Sequence, residues 1–284
     1  MKTAEFYNFM RERESIRLKK AAHLPKPWTK DKIFQRYSFT NVKRCHDRTS
    51  AALITEFYQP HYNDAPELLL LNCGIARYFG TIDFMRAVGW QTDFKPQRLI
   101  KAAAERLGRG EQVYTGAYII TNNGLSGPKE DVVAGVFLAD LWRHHKEILA
   151  IRGNEYRWEP FIRELRQCTG FGGTGFMAKE VTNDTRYTSI WPEGTPIGKD
   201  EWVPVGPGSM RGAATVTGRY GEHLNEKETL EVCRTLFAQR AEFWPKDYEP
   251  LELSDIQFQL CEYQKYQKTK RGDGRPRKRY PGSA

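Results

Sequence analysis

The chain has 284 residues, enough to bury a sizeable core, and either one two-lobed unit or two domains would fit that length. It carries 44 Lys and Arg against 35 Asp and Glu, a formal charge of +9, together with 7 Trp, 14 Tyr and 15 Phe, which favours an anionic partner and nucleic acid over membrane. No apolar run approaches a membrane span, and the charged N-terminus does not read as a secretory signal, so the expected compartment is the cytoplasm. Five cysteines, odd in number and widely spaced, fit reduced thiols and argue against a zinc site; the six His show no ligand spacing either.

Residues 4–22 predict an amphipathic helix with a basic face, broken by Pro25-Lys26-Pro27. Thr29 then stands as an N-cap before Ile33, Phe34 and Tyr37. In Phe39–Arg48, Thr40 is placed to cap a helix with Val42, Cys45, Thr49 and Leu53 inward. Arg44 and Arg48 would lie one turn apart beside Asp47, either as a surface ladder or as guanidinium forks for phosphate. Between two arginines, Asp47 is expected to keep a lowered pKa.

Pro66–Phe79 reads as a central helix, apolar on nearly every face. Thr81 caps the next, and Pro96 opens another that ends at Gly108. Tyr118-Ile119-Ile120 fits a short strand or a buried loop, and Pro128 precedes a helix whose aromatics belong to the core.

The segment from Glu159 to Thr188 carries the densest signal. Pro160 is expected in the first turn of a short helix. Thr169-Gly170-Phe171-Gly172-Gly173-Thr174-Gly175 follows, and a second helix begins at Phe176. Such a hairpin either simply connects or aims backbone N–H groups at phosphate oxygens. Beyond it lie Lys179, Glu180, Asp184 and Arg186. Glu180 and Asp184, one turn apart, either face one cleft as an acid/base pair or form an ionic cluster.

Residues 190–221 read as a long turn-rich segment. Its Gly206-Pro207-Gly208-Ser209 turn beside Arg211 would offer amides, a hydroxyl and a guanidinium to one anion. Glu226–Phe243 returns to helix, and Ser254-Asp255-Ile256-Gln257 has a capping-box pattern that opens the last one. The tail from Lys268 is strongly basic, either a disordered tail or a clamp on a nucleic-acid backbone. Neither a Walker pattern nor a dinucleotide fingerprint occurs.

Four of these segments, in order, resemble signatures of one family. They are Phe39-Thr40-Asn41-Val42-x-Arg44-x-x-Asp47-Arg48, Phe176-Met177-Ala178-x-Glu180-Val181-x-x-Asp184-x-Arg186-Tyr187-Thr188, Gly206-Pro207-Gly208-Ser209-x-Arg211-Gly212, and Ser254–Tyr266 with Gly274-Arg275-Pro276-Arg277. The family is that of the alpha-glutamyl/putrescinyl thymine pyrophosphorylases, which includes the helical domain of 5-hydroxymethyluracil DNA kinases and the phage amino acid:DNA transferases. The resemblance implies a mainly α, two-lobed fold like that of the helix–hairpin–helix DNA glycosylases, the chain forming a single unit. In it, 60–188 would be a central helical lobe ending in the helix–hairpin–helix at 159–188. Residues 1–59 with 189–284 would form the second lobe, and 268–284 the basic tail.

The function so implied is work on modified thymine in phage DNA, in the cytoplasm of an infected bacterium. The expected step displaces pyrophosphate from 5-pyrophosphoryloxymethyl-deoxyuridine by an amine or amino acid, after a separate DNA kinase and with no cofactor, metal or membrane. Asp184, Glu180, Asp47 and Arg44 are the expected catalytic groups. Arg44, Arg48, Arg211, Ser209 and Lys265 would hold phosphate or pyrophosphate. Gly170, Gly172, Gly173, Thr174, Lys179, Arg186, Arg275 and Arg277 would meet DNA. A glycosylase for a modified pyrimidine, a hydroxymethyluracil DNA kinase and an accessory DNA-binding module are the alternatives.

Overall fold

The computed structural model describes residues 1–153, 156–191, 196–274 and 276. Among them the regular elements are helical. In chain order they are α1 (Thr3–Ala21), α2 (Lys32–Arg36), α3 (Arg48–Leu53), α4 (Pro66–Phe79), α5 (Ile82–Val88), α6 (Pro96–Gly108), α7 (Lys129–Val132), α8 (Ala139–Arg143), α9 (His145–Gly153), α10 (Trp158–Leu165), α11 (Phe176–Thr185), α12 (Pro207–Thr217), α13 (Glu226–Ala238), α14 (Arg240–Phe243) and α15 (Leu253–Lys270). No helix of the described residues is long and apolar enough to cross a membrane. The chain divides into two compact units, one of Met1–Asp47 with Asp200–Ala284 and one of Arg48–Lys199.

The first unit is built on α15. α12 lies along it, and a close approach makes this packing: a Cβ at Gly212 would run into the Leu260 carbonyl. α1 also joins this core, because Phe6, Tyr7, Phe9, Met10 and Ile16 are all buried. The expected solvated basic face is thus only part of α1, for Arg13 and Glu14 are buried too. The rings of Phe9, Phe34, Phe39 and Tyr266 pack together at centroid distances of 5.0 to 6.3 Å.

Two caps differ from the expected ones. Asp31, not Thr29, starts α2, its Oδ1 accepting from the Ile33 and Phe34 amides at 2.7 and 3.3 Å. α15 starts at Glu252, whose amide donates to Asp255 Oδ2 at 3.0 Å. In each case a carboxylate competes well against a hydroxyl for amides at the positive end of a helix.

In the second unit α4 is the centre, with Leu69–Leu71, Cys73, Ile75, Tyr78 and Phe79 buried. Thr81 caps α5 as expected, accepting from the Phe84 amide at 3.3 Å. Tyr118-Ile119-Ile120 forms no strand; Ile119 is 74% exposed while Ile120 is buried. α10 and α11 are joined by residues 166–175. Within that link Gly170 has φ +92°, and a Cβ there would lie 2.5 Å from the Phe137 ring and 2.6 Å from the Tyr78 hydroxyl. Packing therefore demands Gly170, whereas Gly172 and Gly173 are exposed.

Candidate active site

The stretch 39–47 does not continue as helix from Thr40. It runs extended and closes in a 3-10 turn at Arg44–His46, with Arg48 opening α3 in the other unit. The clips are local. Asn41 donates its amide to Asp47 Oδ1 at 2.9 Å and its side-chain Nδ2 to the His46 carbonyl at 2.7 Å, a use of Asn and Asp that outcompetes helix. From α15, Gln259 Nε2 donates to the carbonyls of Asn41 and Val42, both at 3.1 Å. Arg13 in turn donates to Gln259 Oε1, and its guanidinium lies over the rings of Phe9 and Phe39 at 4.9 and 5.7 Å.

Arg44 and Asp47 form the reactive-looking pair of this unit. Arg44 Nε stands 3.1 Å from Asp47 Oδ2, each side chain is about one-fifth exposed, and the guanidinium rests over Phe258 at 4.9 Å. Burial pushes the Asp47 pKa up, and this outweighs Arg44, the Asn41 amide and Arg13; Glu262 adds to the rise. The sequence expectation of a lowered pKa is therefore corrected: desolvation beats the neighbouring cation. Glu262 is buried, accepting from the Thr40 amide at 3.3 Å and meeting Lys265 Nζ at 2.7 Å. Lys43 reaches the Pro250 carbonyl at 2.8 Å and Asp255 Oδ2 at 3.4 Å. Burial raises Asp255 to about 6 despite Lys43. The first and fourth signature segments are thus one polar network.

The third segment is no anion-binding turn. Pro207 to Thr217 is helix, and Ser209, fully buried, both accepts from the Gly206 amide and donates to the Gly206 carbonyl at 3.0 Å. Its hydroxyl closes the cap, the role that a serine three residues into a helix commonly takes. Arg211 is exposed on the same helix, its guanidinium with no hydrogen bond or ion pair to any described residue.

The second segment makes the core of the other unit. On α11, Asp184 accepts from Arg77 Nε at 2.6 Å through Oδ2 and from Arg77 Nη2 through Oδ1. Tyr58 donates to the same Oδ2 at 2.6 Å, and Arg77 Nη2 also reaches Ser50 Oγ at 3.2 Å. Glu180 Oε2 is 3.8 Å from Arg77 Nη1, and Glu180 Oε1 is 3.8 Å from Lys179 Nζ. All of these except Ser50 and Tyr58 are charged, and all are buried. Burial raises the Asp184 pKa against the pull of Arg77 and Tyr58. Burial works against the Arg77 charge as well, yet Asp184 holds that guanidinium well above its usual range. Lys179 is 1% exposed, so the expected DNA contact is corrected: it belongs to the interior.

Arg77 was missed in the sequence, although the signal was there. One arginine on the buried side of a largely apolar helix must find a carboxylate, since an unpaired buried charge is very costly. Of the other expected contacts, Arg48 is exposed with no hydrogen bond or ion pair to a described residue, and Thr174 and Arg186 are half-buried. Arg275 and Arg277 lie outside the described residues. Ligand atoms of Cys45, His46 and Glu249, and of Asp140, His144 and Cys168, gather within 4.8 Å, groupings that spacing did not foretell. Both are engaged internally, by a His46–Glu249 contact of 2.8 Å and by the Thr169 amide on Asp140 at 2.8 Å.

The family described as the 5-hmdU DNA kinase helical domain matches residues 2–275, nearly the whole chain. The chain belongs to that family. A relative named 5-hmdU DNA kinase, from Bacillus phage SP10, is 26% identical over 270 residues, covering 85% of this chain. The match takes up 41% of that relative, so the chain spans less than half of its length. No solved structure matches. By this match the chain is related to the helical domain of 5-hmdU DNA kinases. Its helical architecture accords with the family description, while the likeness to DNA glycosylases remains an expectation from the sequence. Within this family member the third and fourth signature segments and the first as far as Asp47 belong to one unit, and Arg48 with the second segment to the other.

Proposed function

We propose that this protein transfers an amine onto 5-pyrophosphoryloxymethyl-deoxyuridine in DNA, releasing pyrophosphate. The amine nitrogen attacks the methylene on C5, the carbon–oxygen bond to pyrophosphate breaks with its electron pair, and the nitrogen's proton passes to a carboxylate. The observation that carries this reading is the Arg44–Asp47 pair. An amine attacks only when neutral, and a partly exposed carboxylate with a raised pKa accepts a proton more readily than an ordinary one. A guanidinium 3.1 Å away is suited to the charge that develops on the departing pyrophosphate. Arg48, Arg211 and Lys265 are proposed as further phosphate contacts, and exposure suits all three.

Asp184 and Glu180 take a different part in this reading. Both oxygens of Asp184 are bound by Arg77, and burial keeps the group from solvent, so we assign it to positioning α11 and the hairpin before it. The exposed amides of Gly172 and Gly173 are proposed to hold a DNA phosphate, a contact that positions without reading sequence. The target base is stacked in duplex DNA and must be extruded to react. These 284 residues contain no G-x-x-x-x-G-K-[ST] pattern, which favours displacement over phosphoryl transfer from a nucleotide.

The test is incubation of purified protein with pyrophosphorylated hydroxymethyluracil DNA and candidate amines, followed by nucleoside mass spectrometry. A new 5-aminomethyl-type nucleoside that needs Asp47 is the expected result. No adduct with any amine overturns it. A second reading is favoured by the 41% coverage of the kinase-named relative: a DNA-binding portion that serves a kinase. That reading predicts salt-sensitive DNA binding without turnover.

A further inference from the structure

In the unit of Arg48–Lys199, the loop that joins α6 to α7 presents Ile119 to solvent, the most exposed large apolar side chain among the described residues. Its neighbours are fixed. Tyr118 donates its hydroxyl to the Arg77 carbonyl at 2.5 Å and sets its ring edge-on to Phe176 at 5.1 Å. On the other side Ile120 is buried. The Thr115 amide donates to the Phe79 carbonyl at 3.1 Å, and Asn122 Nδ2 to the Gly127 carbonyl at 2.9 Å. Ile119 is therefore held outward between two anchored residues, forgoing the gain that its own burial would bring. Its branched Cβ leaves it few rotamers to lose on entering another surface.

Two further observations point to what it meets. Phe176, against which Tyr118 packs, opens α11 directly after the 166–175 link, whose exposed Gly172 and Gly173 amides are proposed above to hold a DNA phosphate. The run from Thr115 to Gly127 contains no charged residue, so no carboxylate stands on it to repel phosphates. Thr121 and Asn123, both exposed, offer polar groups suited to sugars and base edges. A protein partner fits less well: Ile119 with the less exposed Leu125 presents far less apolar surface than a stable interface buries. We propose that Ile119 enters the base stack of duplex DNA at the gap left by the extruded nucleotide, and so holds the modified base out of the helix. Aliphatic side chains inserted between base steps unstack them, and extrusion costs least where the target is already unpaired. Ile119 is thus a positioning residue and touches no reacting atom. The inference rests on the reading that the protein acts on a base in duplex DNA, and not on the chemistry done there.

The experiment uses the full chain and a duplex in which 5-hydroxymethyl-deoxyuridine is paired to 2-aminopurine, whose emission rises when pairing and stacking are lost. Wild type should raise the emission about threefold or more. Ile119→Ala should keep less than about a third of that rise and Ile119→Leu most of it, while duplex affinity by anisotropy stays within about threefold for both. The side chain is exposed, so both variants should fold, and circular dichroism checks this. In adduct formation from pyrophosphorylated DNA and amine, Ile119→Ala should lose about tenfold or more on a paired target. On a mismatched target it should recover to within about threefold of wild type. No rise with wild type overturns the inference. So does an equal rise with Ile119→Ala, or a loss of rate as large on mismatched as on paired DNA. Any of these with the wild-type adduct intact leaves amine transfer standing. A rise that needs Ile119, with no adduct from any amine, does the reverse.

Discussion

Arg77 and Asp184 stand 107 positions apart in the chain and meet through two guanidinium nitrogens and both carboxylate oxygens, out of reach of solvent. A paired buried charge tolerates this, whereas a widowed one does not. Asp184→Ala should therefore cost about 3–5 kcal/mol in urea denaturation, with Arg77→Ala close behind. The double variant should cost clearly less than the sum, because each single change strands the other group. Additive losses would show that the pair is not coupled.

Asp255 makes stability depend on pH with a defined sign. Its folded pKa, about 6, lies above the ordinary value of 3.8, so the folded state binds the proton more tightly. The contribution is complete below about pH 4 and is lost as pH rises through about 6, amounting to about 3 kcal/mol. Asp255→Asn keeps an acceptor for the Glu252 amide and should flatten that part of a melting-temperature profile between pH 4 and 7. An unchanged slope would remove Asp255 as its source.

Gly170 and Gly172 should separate packing from binding. Gly170→Ala forces a methyl against Phe137 and Tyr78 at a positive φ, a loss of about 2 kcal/mol or more in thermal melts. Gly172→Ala meets only the Arg166 carbonyl at 3.4 Å and should fold normally. If its amide serves DNA phosphate, Gly172→Ala weakens duplex binding several-fold at low salt in an anisotropy titration. Equal DNA binding by wild type and Gly172→Ala would dismiss the hairpin as a DNA contact.

Asp47 and Arg44 are the sharpest probes of the chemistry. Asp47→Asn should lower adduct formation by about 10²–10⁴ while DNA affinity stays within twofold. With wild type, single-turnover rates should climb with pH as Asp47 ionises, through a midpoint above the ordinary aspartate range. Arg44→Lys keeps the charge but loses the fork and should cost about 10²-fold in rate. A flat pH profile would exclude Asp47 as the proton acceptor.

Helix content and several boundaries were readable from residues alone, with α4 and α6 running from Pro66 to Phe79 and from Pro96 to Gly108 as anticipated. Periodicity and proline at the first turn are local signals. What escaped was set by distant partners. Asn41 and Asp47 clip a non-helical turn that Gln259, far along the chain, holds in place. Likewise Gly206–Ser209 looks like a loop until Gly212 is seen pressed onto the Leu260 backbone. The Asp47 expectation erred because sequence displays neighbouring charges but not the loss of water around them.

The division of the chain also bears on how it is made. Gln259 emerges from the ribosome 217 residues after the Val42 carbonyl that it binds, roughly ten to forty seconds later at typical elongation rates. Residues 48–199 form a compact body of their own and can fold in that interval. The opening segment must wait, its aromatic face uncovered, until the closing helix arrives. Nascent chains stalled before residue 253 should accordingly be cut by protease within the first 47 residues and beyond residue 199, while 48–199 resist it.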